Sequence, residues 1–161
     1  MSDKETIAIL GGTGDLGTGL AIRWSKAGYK IVIGSRTLEK AQAAVTALQE
    51  VSPGTPAEAM ENLDAADAGD IVVLTVPAEH QISTLDYVKA NLQGKILIDV
   101  TVPLVPPKVG TVQLPTEGSA GKRAQEFLGE EVQVVTAYQN IAAHLLQQDV
   151  KIECDVLVCG N

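Results

Sequence analysis

Hydrophobic positions along the chain fall into short blocks, each stopped by Gly, Pro or a polar residue, with helix-like stretches between them. Thr6 to Leu10 runs up to Gly11, Ile31 to Ile33 up to Gly34, Ile71 to Val76 up to Pro77, and Ile96 to Thr101 is followed by Val102-Pro103. Val132 to Ala137 and Asp155 to Cys159 complete the set. Blocks this short and apolar on both faces suit strands of a parallel sheet that is covered by helices on each side. After the first block Leu16, Leu20 and Trp24 recur at helical spacing, and after the second Ala41, Val45 and Leu48 do so until Pro53. Gly28 stands where the first helix needs a left-handed residue to end it. Strand followed by helix, repeated, predicts an α/β chain with a doubly wound, mostly parallel sheet.

Two segments interrupt this rhythm. Ser52 to Pro56 and Pro103 to Pro115 are rich in proline and glycine, and the second is too long for an ordinary α/β connection. No repeat, low-complexity tract or linker divides the chain, so residues 1–161 are read as a single domain. The last block, Cys154 to Cys159, reads as a strand with no helix after it before Asn161. An uncovered sheet face would expose an apolar patch, so the expectation is either cover from a partner subunit, as in a homodimer, or a chain shortened at its C-terminus. Cys154 and Cys159 are too few for a disulfide framework and are read as reduced core residues.

Composition narrows the partners. With 45% hydrophobic and 20% charged residues the chain is globular, which excludes a disordered or collagen-like chain. No apolar run approaches the roughly 20 residues of a membrane helix. Met1-Ser2-Asp3-Lys4-Glu5 lacks the basic and apolar regions of a secretory signal, so a cytoplasmic chain is expected. Twelve basic against twenty acidic side chains give a net charge of −8, which argues against a nucleic-acid partner. Any phosphorylated ligand must then be met by a local basic cluster.

Such a cluster follows the one motif that carries chemistry. Gly12-Thr13-Gly14-Asp15-Leu16-Gly17 is a GxGxxG placed directly after a strand and at the mouth of a helix. In that setting Gly12 permits the tight turn, Gly14 lets backbone approach a pyrophosphate and Gly17 lets the helix pack on the strand, which is the fingerprint of an NAD(P)-binding Rossmann fold. The anion would rest on the unpaired N–H groups of the helix N-terminus. At the end of the second strand, where NAD sites place a carboxylate, this chain has Ser35 and Arg36, with Lys40 one helical turn on. A hydroxyl beside a guanidinium suits the 2′-phosphate of NADP.

Val76, Pro77 and Ala78, then Val102, Pro103 and Leu104, end later strands on the side where such folds hold ligands. Asn140 either hydrogen-bonds a nicotinamide carboxamide or caps a helix over Ile141 to Leu146. His80 could face the cleft, whereas His144 is read as structural and Asp64, Asp67 and Asp70 as a polar helix and turn. No metal site, hydrolytic triad or carboxylate dyad is predicted, and no side chain is assigned a catalytic role.

Ile-Leu-Gly-Gly-Thr-Gly-Asp-Leu-Gly at 9–17, Gly34-Ser35-Arg36, Lys40, Leu74-Thr75-Val76-Pro77 and Val158-Cys159-Gly160, in that order, resemble the NADP reductases that depend on the deazaflavin coenzyme F420. The resemblance implies an oxidoreductase that passes a hydride between the nicotinamide C4 and the deazaflavin C5. It places the pyrophosphate on Thr13 to Leu16, the 2′-phosphate on Ser35, Arg36 and Lys40, and the rest of the dinucleotide against Val76 to Ala78, Leu104 and Ala143. Val102-Pro103-Leu104 and the 138–143 loop would help form the deazaflavin cleft. Family members continue past the Val-Cys-Gly strand, and Gln139 and Ala142 stand where they commonly carry other residues. Transfer between two stacked heterocycles needs positioning and no protein nucleophile, in keeping with the missing catalytic constellation. Alternative readings are an NADPH-dependent flavin reductase, an imine or carbonyl reductase, and a non-catalytic NADP(H) sensor.

Overall fold

The computed structural model describes residues 4–160 apart from 106, 108, 109, 111, 112 and 149. Its strands are β1 (Thr6–Leu10), β2 (Lys30–Ser35), β3 (Ala57–Glu61), β4 (Ile71–Leu74), β5 (Ile96–Asp99), β6 (Gln133–Thr136) and β7 (Cys159–Gly160). They form one sheet in the order β3-β2-β1-β4-β5-β6-β7. All neighbours are parallel except β6 and β7, which are antiparallel. The doubly wound, mostly parallel sheet expected from the sequence is therefore present, and its order reverses between β1 and β4. At such a switch point a crevice opens beyond the carboxyl ends of the strands.

The helices are α1 (Asp15–Lys26), α2 (Leu38–Val51), α3 (Asn62–Ala68), α4 (Gln81–Val88), α5 (Ala120–Leu128) and α6 (Ala143–Leu146), with 3-10 turns at Ala78–His80 and Lys89–Leu92. Successive strand residues point to opposite faces, so the apolar blocks feed two separate cores. Ile7, Ile9, Ile31 and Ile33 pack with Leu20 and Ile22 of α1, Leu48 of α2 and Leu146 of α6. Ala8, Leu10, Val32, Val72 and Leu97 pack with Ala65 of α3, Leu85 and Val88 of α4, and Ala124 and Leu128 of α5. Gly28 ends α1 as expected: its φ is +87°, its N–H donates to the Ser25 carbonyl and the Tyr29 N–H donates to that of Trp24. That bonding satisfies two of the last carbonyls of the helix.

Four expectations need correction. An additional strand, β3, lies at the sheet edge; Ala57-Glu58-Ala59-Met60-Glu61 gives no continuous apolar signal because it pairs with β2 alone and leaves its glutamates exposed. The strand expected over Asp155 to Cys159 is reduced to Cys159–Gly160, since only these residues reach the β6 ladder, at Thr136 and Val135. The reading of Cys154 and Cys159 as core residues falls with it: both are free and exposed. Finally, β4 and β5 end at Leu74 and Asp99, so Thr75, Val76, Val100 and Thr101 belong to the loops beyond them. Part of the proline-rich Pro103 to Pro115 connection lies outside the described residues.

Candidate functional site

The turn after β1 is shaped by close backbone contacts. Gly11 has φ +70°, and a Cβ there would stand 2.6 Å from Val76 Cγ1. Gly12 N–H donates to the Gly34 carbonyl at 3.1 Å, which ties the turn to the end of β2. A Cβ on Gly17 would meet Gly12 Cα at 2.7 Å, so α1 can start against the turn only with glycine at that place. Gly14 is the opposite case, for a Cβ there would have no protein atom within 4 Å. A Cβ on Gly12 would stand 2.8 Å from the Ile9 carbonyl oxygen, so Gly12 and Gly17 are constrained by protein contacts and Gly14 is not.

Gly14 is also the N-cap of α1, and no side chain caps that end. The first N–H groups of a helix lack intrahelical partners, so Asp15 and Leu16 present donors and the positive end of the helix dipole to whatever lies beyond. What lies beyond is a cavity of about 600 Å³ lined by Gly11, Thr13, Gly14, Asp15, Leu16, Ser35, Arg36, Lys40, Asn62, Thr75, Val76, Pro77, Ala78, His80, Ser83, Thr84, Val100, Thr101 and Val102. It crosses the switch point from the end of β2 to the ends of β4 and β5.

The basic pair demanded by the overall acidity stands at one end of this cavity. Arg36 and Lys40 are exposed, and among the described residues neither side chain has an ion-pair or hydrogen-bond partner. Ser35, beside them, is 5% exposed. A second recess of about 300 Å³ continues from Ser35 and Arg36 past Glu61 and Asn62 to Ser83, Thr84 and Tyr87.

Several lining residues were not found by sequence reasoning. Asn62 is 5% exposed, and its Oδ1 accepts the Gly11 N–H at 3.3 Å. Thr75 Oγ1 donates to the Leu10 carbonyl at 2.9 Å, closing the gap between β1 and β4. Ser83 and Thr84 arrive from α4. Asn62, Ser83 and Thr84 are single polar residues whose spacing carries no signal, placed only by the turn of β3 into α3 or of the 3-10 segment into α4, whereas Thr75 belongs to the Leu74-Thr75-Val76-Pro77 segment already picked out in the sequence, without a role for its hydroxyl. His80 lines the cavity, as the sequence allowed.

The remaining expected residues lie elsewhere. Pro103, Leu104, Asn140 and Ala143 are outside the cavity lining, although their neighbours Val100 to Val102 are inside it. Asn140 does not cap α6, which begins at Ala143 with Ala142 as its N-cap. Its Nδ2 instead donates to the Asp155 carbonyl at 2.7 Å. Gln139 Nε2 donates to the Asp99 carbonyl at 3.0 Å. Between β6 and these residues Tyr138 holds φ +70°, uncommon for a residue with a Cβ, with its ring edge-on to Trp24 at 5.9 Å. His144 is exposed on α6. Among the described residues no group of His, Cys, Asp or Glu could hold a metal ion, and no helix is long and apolar enough to cross a membrane.

Residues 6–103, which include every lining residue of this cavity, match a family model described as NADP oxidoreductase, coenzyme F420-dependent. A relative from Methanocaldococcus jannaschii named F420-dependent NADP reductase is 43% identical, across 96% of this chain and 72% of that protein. The chain belongs to the F420-dependent NADP oxidoreductase family. A family relative of the same name from Methanothermobacter thermautotrophicus is 41% identical over 96% of this chain and 70% of its own. Among solved structures, a candidate F420-dependent NADP-reductase from Arthrobacter sp. FB24 superposes with a TM-score of 0.77 at 27% identity, covering 98% of this chain and 74% of that one. An imine reductase from Bacillus cereus BAG3X2, at 20% identity and a TM-score of 0.59, covers 88% of this chain and 43% of its own and shares the fold.

Proposed function

We propose that this chain passes a hydride between NADP(H) and the deazaflavin coenzyme F420. The observation that carries the reading is the continuity of one cavity from the Arg36-Lys40 pair, without partners among the described residues, over an uncapped helix N-terminus, to the ends of β4 and β5. The family membership of the chain and the names of its relatives supply the redox pair. When bound, the two coenzymes supply the hydride donor and acceptor carbons; the chain supplies places for them.

In this reading Ser35, Arg36 and Lys40 hold the 2′-phosphate through charge-assisted bonds, and the Thr13 to Leu16 backbone holds the pyrophosphate. Gly14 leaves room for that approach. Val76 to Ala78 and Val100 to Val102 then flank the nicotinamide half. Pro103, Leu104, Asn140 and Ala143 belong to the outer side of the cleft, where the deazaflavin would lie. Orientation of two flat rings at near-attack distance contributes on the order of 7–11 kcal/mol, so no acid, base or nucleophile is asked of the protein.

The test is spectroscopic. Mixing the protein with NADP and reduced coenzyme F420 is expected to restore the absorbance band of the oxidised deazaflavin, with no reaction of NADPH with FMN. Consumption of NADPH by FMN alone would overturn the choice of acceptor. Tight NADPH binding without hydride loss to any acceptor would overturn the assignment as an enzyme.

Residues 1–161 are further read as one domain in a cytoplasmic homodimer. Val156, Leu157 and Val158 are exposed at 37%, 70% and 65% beside the edge strand β7, and apolar side chains gathered in that way favour cover by a second copy. Light scattering at micromolar concentration is expected to give twice the mass of the chain; a monomer would refute the dimer.

A further inference from the structure

The inner wall of the cavity is backed by one connected set of buried polar groups. Gln81, the first residue of α4, is completely buried. Its amide nitrogen has three acceptors within reach of its two hydrogens: Asp99 Oδ2 at 2.6 Å, the Ala120 carbonyl at 3.0 Å and Thr101 Oγ1 at 3.1 Å. Its amide oxygen accepts from Arg123 Nε at 2.7 Å, and Arg123 Nη2 donates to the Ala78 carbonyl at 3.3 Å. Asp99 Oδ1 accepts the Thr101 N–H at 3.0 Å.

The set has a direction. A guanidinium only donates and a carboxylate only accepts, so the amide between Arg123 and Asp99 has one satisfied orientation. It also joins two walls that run on past the ends of the strands. Thr75 to Pro77 and Val100 to Val102 lie beyond the ends of β4 and β5, yet both line the cavity. Gln81 continues directly from the 3-10 turn Ala78–His80 and reaches across to Thr101, while Arg123 of α5 returns to Ala78. None of these bonds involves Ser35, Arg36, Lys40 or Gly14 at the other end of the cavity.

We infer that Gln81, with Arg123 and Asp99, is a positioning group that fixes the Ala78–His80 turn against the Val100–Val102 segment, and so sets where the nicotinamide half of the dinucleotide lies. The inference rests on the functional reading above. Its consequence is a split: the walls around the reacting ring depend on the network, and the 2′-phosphate and pyrophosphate contacts do not. A misplacement of about 1 Å at a reacting centre can lower a rate by roughly a hundredfold, so the network matters even where it touches no ligand.

The test compares NADPH with 2′,5′-ADP, which carries the 2′-phosphate but no nicotinamide, by calorimetry on wild type, Gln81→Met and Arg123→Met. Arg123 is only half-buried, and methionine keeps its apolar stem, so that variant serves if Gln81→Met fails to fold. The expected result is affinity for 2′,5′-ADP within about twofold of wild type and affinity for NADPH reduced by about tenfold, since a looser wall touches only the ring end. The fluorescence of bound NADPH is expected to move toward that of the free nucleotide. Equal losses for both ligands, or variants that keep the wild-type preference for NADPH, would overturn the inference alone. A wild type that binds neither nucleotide would overturn the functional reading and this inference with it.

Discussion

The β1–α1–β2 region and the region from β5 to β7 hold the same sheet together by different means. In the first, strands of five and six residues alternate cleanly between two cores, and helices of 12 and 14 residues follow them. In the second, strands of four, four and two residues are accompanied by helices of only nine and four residues. There, single polar side chains reach distant carbonyls. Arg23 donates to the carbonyls of Leu145, Leu146, Gln148 and Val150, Gln139 to that of Asp99, and Asn140 to that of Asp155. The first region is specified by periodicity and glycine geometry, the second by individual long-range bonds, and substitutions can separate the two.

The largest effect is expected within the glycine turn itself. Gly17→Ala places a Cβ 2.7 Å from Gly12 Cα and 3.1 Å from Gly12 C, both backbone atoms that cannot swing aside. Overpacking of this kind costs about 3 kcal/mol, visible as a large fall in thermal midpoint. Gly14→Ala meets no protein atom within 4 Å and keeps an ordinary φ of −85°, so its midpoint stays near wild type while NADPH binding weakens at least about tenfold, for loss of close backbone approach to the pyrophosphate. Equal thermal losses in the two variants would erase the division between packing and ligand glycines.

Next comes the charge at the end of β2. Arg36→Ala removes a guanidinium with no partner among the described residues, so folding has little to lose. A charged hydrogen bond is worth about 1.5–3 kcal/mol, and the affinity for NADPH is expected to fall by that amount with NADH little changed. Calorimetry with both nucleotides decides it, and equal loss for the two would remove the 2′-phosphate from this place.

The same contrast explains what could be read from the sequence. The places of Gly12, Gly14, Gly17, Ser35 and Arg36 at the β1–α1 turn and the end of β2 were legible because they follow from position within one βαβ unit, where backbone geometry fixes what each residue faces. β3 was missed because its glutamates break the apolar run, and Asn62 because its role exists only once α3 is packed under the turn. Cys154 and Cys159 misled for a related reason: cysteine and valine favour burial, but a strand also needs a ladder, and β7 has two paired residues. Gln81, Asp99 and Arg123 are widely separated in sequence, so no spacing announces their network.

A smaller effect is expected where one region is tied to the other. Arg23→Met leaves α1 its apolar stem but removes donors from carbonyls at and beyond the end of α6. The loss is about 1–2 kcal/mol, concentrated on the 138–152 segment because those carbonyls regain water as the segment loosens. Amide exchange is expected to speed up at Leu145 and Leu146 and to stay unchanged in β1 and β2. Uniform acceleration across the chain would mean that α6 is integral to the first region after all.

The smallest effect expected is a dependence on pH, which tests the polarity of the buried network. Asp99 is fully buried, and this desolvation raises its carboxyl above the ordinary 3.8 despite hydrogen bonds from Thr101 and Gln81 and the nearby Arg123 charge, which pull it down. Between 3.8 and the raised value the folded chain keeps a proton that the unfolded chain has released. Stability from this group is therefore complete below 3.8 and is lost as pH rises through the folded value. Asp99→Asn does not titrate, and it sets an amide N–H₂ against Gln81 Nε2 or the Thr101 N–H, which costs about 1–3 kcal/mol at any pH. Urea unfolding at a series of pH values is thus expected to find wild type more stable than the variant throughout, with its advantage shrinking as pH rises above 3.8. An advantage that grew instead would mean that the donors around Asp99 stabilise its charge by more than burial opposes it.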